Sequence, residues 1–349
     1  MKGTISFHPV DVAFFDDVIA PLLAGRKINP EPFVADALRV RNAWAAARSW
    51  PRAVATLAAS VEPPAADASA GLWERIRTNL ERFDHRPADV VRRAAAAFDP
   101  DLHLEGRPFF VAEGSAERVA EAVEAYRLAP TDAAASRLAR DQLTKLDAEL
   151  AQVVEPEAGS ALSNDPQYRQ DLLAALKTLH DVARAAREGA LWRPEEGEPR
   201  PAVEVLLGEV PWSAVRMHAR VVPFWVARDV DGLETICRAA GVLAPECLVP
   251  AWRLFAETCE AHPGFKEALH LEIRRPRDVG AFVSPSEIPA LLEFLTDHGT
   301  RIIGAAARAG EGPAATLLLR KVKECATYAA KRGFGYLEAS GVEPPDLEA

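Results

Sequence analysis

Basic charge is in short supply in this chain. Its 349 residues include 41 lysines and arginines against 51 aspartates and glutamates, a formal net charge of −10. A nucleic-acid binder needs a basic stripe to neutralise phosphates, so this balance argues against that class of partner. Local basic clusters exist, such as Arg274, Arg275 and Arg277, and this one reads as a solvated turn. Cysteine is sparse as well. The four present, Cys237, Cys247, Cys259 and Cys325, all lie in the second half of a chain that shows no secretion signal. Reduced thiols in a cytoplasm are the expectation. No stretch approaches the roughly 18 consecutive apolar residues that a membrane span requires. The opening MKGTISFHPV lacks the apolar core of a secretion signal.

Catalytic signatures are missing too. There is no dinucleotide fingerprint, nucleophile elbow or HExxH. Cys259 and His262 with Cys247 have no second ligand pair to close a structural zinc site. Gly310-Glu311-Gly312-Pro313 lacks the lysine and hydroxyl of a phosphate loop and reads as a helix start. Asp229-Val230-Asp231-Gly232 is a calcium-loop fragment without its remaining ligands, and reads as a turn.

What is present is 49% hydrophobic residues, enough for one large core or two ordinary ones. The abundance of alanine and the excess of arginine over lysine fit GC-rich bacterial coding. Ile5-Ser6-Phe7 predicts a strand, and Asp11 caps an apolar helix that Pro21 interrupts and Gly25 ends. Asn29-Pro30-Glu31 starts a second helix expected to run to about residue 48. Helices broken near Pro87 follow. Leu102-His103-Leu104-Glu105 and Phe109-Phe110-Val111 are expected to be two strands about a turn at Gly106. Ser115 and Thr131 open long helices. A further helix, 167–188, ends at Gly189 before a short strand at Ala190-Leu191-Trp192.

Residues 194–201, PEEGEPRP, make the clearest boundary. The second half then repeats the first in outline. At one constant offset Leu173, Lys177, Ala185, Ala186 and Gly189 align with Leu317, Lys321, Ala329, Ala330 and Gly333. LHLE recurs as Leu269-His270-Leu271-Glu272, again followed by a turn, a Phe-Val pair (110–111 and 282–283) and a helix start. The second such start, Ser284-Pro285-Ser286-Glu287, has the form of a capping box. The expected architecture is helix-rich α+β with two pseudo-repeats. The first is 1–193 with a helical insertion at about 60–100, then the linker 194–201, then the second repeat 202–349. FVSPSEIPALLEFL (282–295) and CATYAAKRGFGYL (325–337), with their counterparts in the first half, give a pattern that resembles the small bacterial YfbM-like α+β proteins, which have no established activity. The resemblance implies two tandem copies of such a domain and carries over no catalytic residue.

In a strand, alternate residues share a face, so LHLE would put both leucines on a core face and His103 with Glu105 on the other. If the halves pack about a pseudo-two-fold axis, His103, Glu105, His270 and Glu272 converge on one divalent metal such as zinc, the chemistry of a hydrolase. The simpler reading is a polar strand face duplicated with the rest. Trp212, Phe224 and Trp225 cluster among prolines at the start of the second half. Buried, they are core; exposed, they are anchors of a partner-binding surface. With no catalytic motif and an acidic surface, the expectation is a cytoplasmic protein that works through a protein partner, without a cofactor. The alternatives are the metal-dependent hydrolase and a small-molecule site in a cleft between the repeats.

Overall fold

The computed structural model describes residues 3–61, 103–104, 106–154, 165–193, 198–255 and 279–340. β1 (Gly3–Val10) leads into α1 (Val12–Phe14), a π-helical turn at Phe15–Ile19, and α2 (Ala20–Leu23). α3 (Glu31–Val61) follows, then α4 (Ala116–Arg127), α5 (Asp132–Leu146), α6 (Leu150–Val153) and α7 (Asp165–Arg187). A short ribbon of β2 (Leu191–Trp192) and β3 (Arg200–Pro201) precedes α8 (Ala202–Gly208), α9 (Val210–His218), β4 (Trp225–Val230) and α10 (Leu233–Ala239). β5 (Val249–Pro250), β6 (Val279–Val283), α11 (Ile288–Arg308), α12 (Gly312–Arg332) and β7 (Gly335–Ser340) complete the described elements. This is a helix-rich α+β fold.

Local signals place many of the elements. The Asn29 carboxamide accepts from the Glu31 amide (3.2 Å), Ser115 Oγ from the Arg118 amide (3.3 Å), and Thr131 Oγ1 from the Ala134 amide (3.2 Å). Each relieves a donor that a helix start leaves unpaired. Pro21 sits in the first turn of α2, just after the π-helical turn, and so restarts the helix as its missing N–H allows. α7 and α12 both end at a left-handed glycine, Gly189 (φ 65°) and Gly333 (φ 69°), where a side chain would be strained.

The main sheet has five strands in the order β4-β1-β7-β6-β5, and each paired neighbour is antiparallel. β1 therefore lies between strands from the second half of the chain. Opposite Phe7 stand Trp225 on β4 and Glu338 on β7, so these three side chains share a face with Tyr336. That face lies against α12: the Trp225 indole donates to Glu324 (3.0 Å), and its ring tilts onto Tyr328. Ser6, His8 and Val10 point to the opposite face, where His8 stacks on Phe224 at 5.2 Å between ring centres. Every residue from Ile5 to Val10 is buried, so both faces of β1 are covered.

The chain divides into two compact units. The first takes residues 1–41, 115–121 and 164–349; the second takes 42–114 and 122–163. The expected boundary at 194–201 is not where the units part, because 1–41 and 164–193 group with the second half of the chain. In the second unit Phe109 stacks on Tyr126 (4.8 Å), the Trp50 indole donates to Ser136 Oγ (2.8 Å), and the buried Arg107 guanidinium donates to the Val111 carbonyl (2.9 Å).

Several expectations need correction. α3 continues to Val61 through Pro51, well beyond residue 48. His103 is helical and Leu104 is in a turn, so neither lies in the expected strand; Leu102 and Glu105 lie outside the described residues. Gly106 does turn, with φ 64°. Phe109 to Val111 are buried but form no strand, because the Val111 amide bonds back to the His103 carbonyl (3.1 Å) instead of to a neighbouring strand. Their counterparts Phe282 and Val283 do lie in a strand, β6, so the correspondence between the halves lapses at this block. It is kept at the ends of α7 and α12, although β2 pairs with β3 in a separate ribbon and β7 lies in the main sheet. Ser284 bonds the Glu287 carboxylate (2.6 Å) ahead of a 3₁₀ turn, so the box closes side chain to side chain and leaves the backbone donors uncapped by Ser284.

Candidate functional site

β4 hands over to α10 at Asp231 and Gly232, and this junction lies beside the turn joining α11 to α12. Together these elements line an open groove with an internal volume of about 80 Å³. More than half of its lining residues are alanine, among them Ala239 on α10, Ala305, Ala306 and Ala309 at the end of α11, and Ala314 and Ala315 on α12. Thr235 and Ile236 add a hydroxyl and a larger apolar wall. Among the described residues, Asp231 and Glu311 are the only ionisable ones lining the groove, and no lysine, arginine or histidine of that set lines it. Methyl-sized walls let an incoming backbone approach closely, and the Asp231 carboxylate favours a positive charge on whatever enters.

Behind the α10 wall is a buried carboxylate. Glu338 projects from β7 and accepts from the Leu233 amide, at 3.2 Å to one oxygen and 3.4 Å to the other. The Tyr336 hydroxyl donates to it at 3.5 Å. Gly232 makes this approach possible, since a Cβ there would lie 2.1 Å from the carboxylate oxygen. Burial pushes the Glu338 carboxyl up from 4.5 to about 7; the Leu233 amide and the Tyr336 hydroxyl oppose that rise, and Glu234 adds to it. Burial, then Glu338 and Glu234, push the Cys237 thiol on α10 up from 9.0 to about 11.

The opposite face of the sheet buries two imidazoles. The Ser6 hydroxyl donates to the Ala339 carbonyl (3.2 Å), so its only proton is committed and its oxygen accepts from His8 Nε2 at 2.8 Å. His8 then carries its proton on Nε2. His218 Nε2 accepts from the Asp11 amide (3.1 Å), which places the His218 proton on Nδ1. Burial, and next the nearby His218, lower His8 from 6.5 to about 3; burial alone lowers His218 to about 3. Both rings are neutral near pH 7 and sealed from solvent, so they pack the core and do not serve an outside substrate.

The residues singled out from sequence are dispersed. His103 is buried in the second unit; Glu105, His270 and Glu272 lie outside the described residues. Among the described residues no three His, Cys, Asp or Glu side chains are grouped to hold a metal ion. Trp225 is fully buried and Phe224 is 7% exposed, because one faces α12 and the other backs His8. They are core and cannot be surface anchors. Trp212 is half-buried under the Arg216 guanidinium, 3.6 Å from the ring centre. Cys237, Cys247 and Cys325 are free thiols and buried, while Cys259 is outside the described residues. No described helix is long and apolar enough to cross a membrane.

Sequence reasoning missed the groove and Glu338. One signal was available for the carboxylate: in GYLEAS the alternation sets Glu338 on the same strand face as Tyr336, amid small and apolar neighbours. The groove had none, since its alanines come from three separate helices. No protein-family model, curated protein or solved structure matches the chain.

Proposed function

We propose that this protein acts by binding and not by turnover, and that the groove between α10, α11 and α12 receives an apolar segment of a protein partner bearing a positive charge. One observation carries the reading: an alanine-walled groove whose ionisable lining, among the described residues, is acidic. Charge complementarity sets the sign of the occupant, and the net charge of −10 steers the same partner toward the protein from a distance. A helix with apolar side chains at helical spacing and a lysine or arginine at its flank has that chemistry. Turnover is disfavoured because the described groups that burial displaces strongly, among them His8, His218, Cys325, Tyr336 and Glu338, are enclosed in the core.

The test uses a fluorescein-labelled helical peptide with a leucine stripe flanked by lysines, titrated with the full chain. Saturable binding is expected, with at least about a tenfold loss, or about 1.4 kcal/mol, in Ala306→Trp, which fills the groove without changing charge. Asp231→Lys is expected to weaken it as well, and the peptide with glutamate for lysine is expected not to bind. Undiminished binding by Ala306→Trp would place the contact elsewhere and overturn the reading.

A further inference from the structure

The groove wall and the buried carboxylate share one element. α10 is seven residues long, and only Leu233 and Cys237 within it are buried. Its first turn, with Gly232, covers Glu338, and Thr235, Ile236 and Ala239 of the same helix line the groove. A short helix held by two buried side chains belongs to the part of a fold that opens most readily.

The groups acting on Glu338 are uniformly acidic or neutral. Tyr336 reaches it from its own strand, Glu234 and Cys237 from α10, and Cys325 from α12 acts on Tyr336. Phe7 lies opposite on β1, and the β6 neighbour is Gly280, where a Cβ would lie 3.2 Å from the Glu338 carbonyl. No cation among the described residues pairs with this carboxylate, so ionising it in place creates a buried, unneutralised charge, which is costly.

We propose that Glu338 gates the groove: protonated, it lets the first turn of α10 lie down on the sheet, and ionised, it favours lifting that turn so that water reaches the carboxylate. The direction follows from linkage. The covered carboxyl holds its proton to about pH 7; once uncovered it returns toward the ordinary carboxylate range, so the covered state binds the proton more tightly. Opening of α10 therefore becomes easier as pH rises toward neutral and levels off beyond. A partner that presses on α10 must, reciprocally, favour proton uptake by Glu338. The effect on binding rests on the docking reading above, whereas the movement of α10 does not.

Hydrogen–deuterium exchange of the full chain from about pH 5 to about pH 8 tests the gate, with rates corrected for the intrinsic pH dependence of exchange. For residues 233–239, protection is expected to fall by up to about tenfold per pH unit, the limit for one coupled proton, and to level off above about pH 7. Glu338→Gln is expected to remove the pH dependence. Should that variant not fold, Glu234→Gln on the exposed side of α10 still decides the matter: with a nearby negative charge gone, the levelling moves to lower pH. Protection of 233–239 that is the same throughout, or that changes identically in the variants, overturns the gate. The lysine–leucine peptide, titrated over the same range, is expected to bind more weakly as pH rises. If it binds at no pH while the exchange pattern holds, the docking reading fails and the gate stands.

Discussion

Glu338→Gln gives the most direct measure of what the buried carboxylate does to the fold. The side chain is 8% exposed and lies in the middle of the sheet, so solvent screening discounts little. Its carboxyl is displaced from 4.5 to about 7, which at about 1.4 kcal/mol per pH unit amounts to about 3 kcal/mol. The folded state binds the proton more tightly, so this contribution is complete below about pH 4.5 and is lost as pH rises to about 7. Glutamine has the same shape and can still accept from the Leu233 amide, yet it cannot ionise. The assay is urea denaturation of both proteins at a series of pH values. Their difference in unfolding free energy removes every shared titration. It should change by about 3 kcal/mol in favour of the variant between about pH 4.5 and about 7, and stay level above that. A difference that does not vary with pH would refute the burial of an unpaired carboxylate, and with it the cause assigned to the opening of α10.

Three further substitutions probe the packing around this sheet. Gly335→Ala places a Cβ 2.7 Å from the Val283 carbonyl and 2.9 Å from the Phe282 ring; with backbone on one side and a packed ring on the other, a loss of about 2 kcal/mol or more in denaturation is expected. Gly232→Ala drives the Glu338 carboxylate from the Leu233 amide and should cost about 1–3 kcal/mol, a cost that largely disappears in a Glu338→Ala background if the two residues act as one unit. Trp225→Phe keeps an aromatic ring but removes the pyrrole part of the buried indole with its donor to Glu324, so a loss of at least about 1–3 kcal/mol and a lower melting temperature are expected.

The parts of this fold that were legible in the sequence are those governed by neighbours in the chain. Asn29, Ser115 and Thr131 open helices because their side chains satisfy amides two or three residues ahead, and Gly189 and Gly333 end helices because each takes a left-handed φ. Pattern failed where short-range rules are ambiguous. LHLE alternates polar and apolar residues like a strand, but four residues are too few to separate that period from one helical turn, and the structure makes His103 helical. Tertiary placement was out of reach altogether. β1 bonds to β7 from 333 residues away at Ser6 and Ala339, and nothing local in either segment names its partner. The same distance hid the function of the aromatics: Trp225 and Phe224 were candidates for a surface until the sheet put α12 over one and His8 against the other. The groove escaped for a related reason, since an alanine carries no signature until three helices bring several of them together.

The two faces of β1 and β7 set opposing pH responses, and their balance yields the last prediction. His8 and His218, lowered from 6.5 to about 3, resist protonation in the fold, so each contributes stability above about pH 6.5 that is lost as pH falls toward about 3. Glu338 runs the other way between 4.5 and about 7. Where the ranges overlap, from about 4.5 to about 6.5, two proton-shedding groups oppose one proton-holding group, and the net slope is about +1.4 kcal/mol per pH unit. Above about 6.5, of these three groups, Glu338 alone still responds and the sign of their joint contribution reverses, so that contribution should reach its maximum near pH 6.5. Glu121 and Asp181, whose carboxyls are lowered foremost by hydrogen bonds from Lys331 and Lys177, respond below this range. His8→Gln removes one of the two histidines while keeping a donor for Ser6, and leaves one group of each sign. Its unfolding free energy should therefore be nearly flat from about pH 4.5 to about 6.5, where the native protein's rises. An unchanged slope in His8→Gln would mean that His8 takes up its proton inside the fold, and would overturn the neutral, Nε2-protonated ring assigned to it beside Ser6.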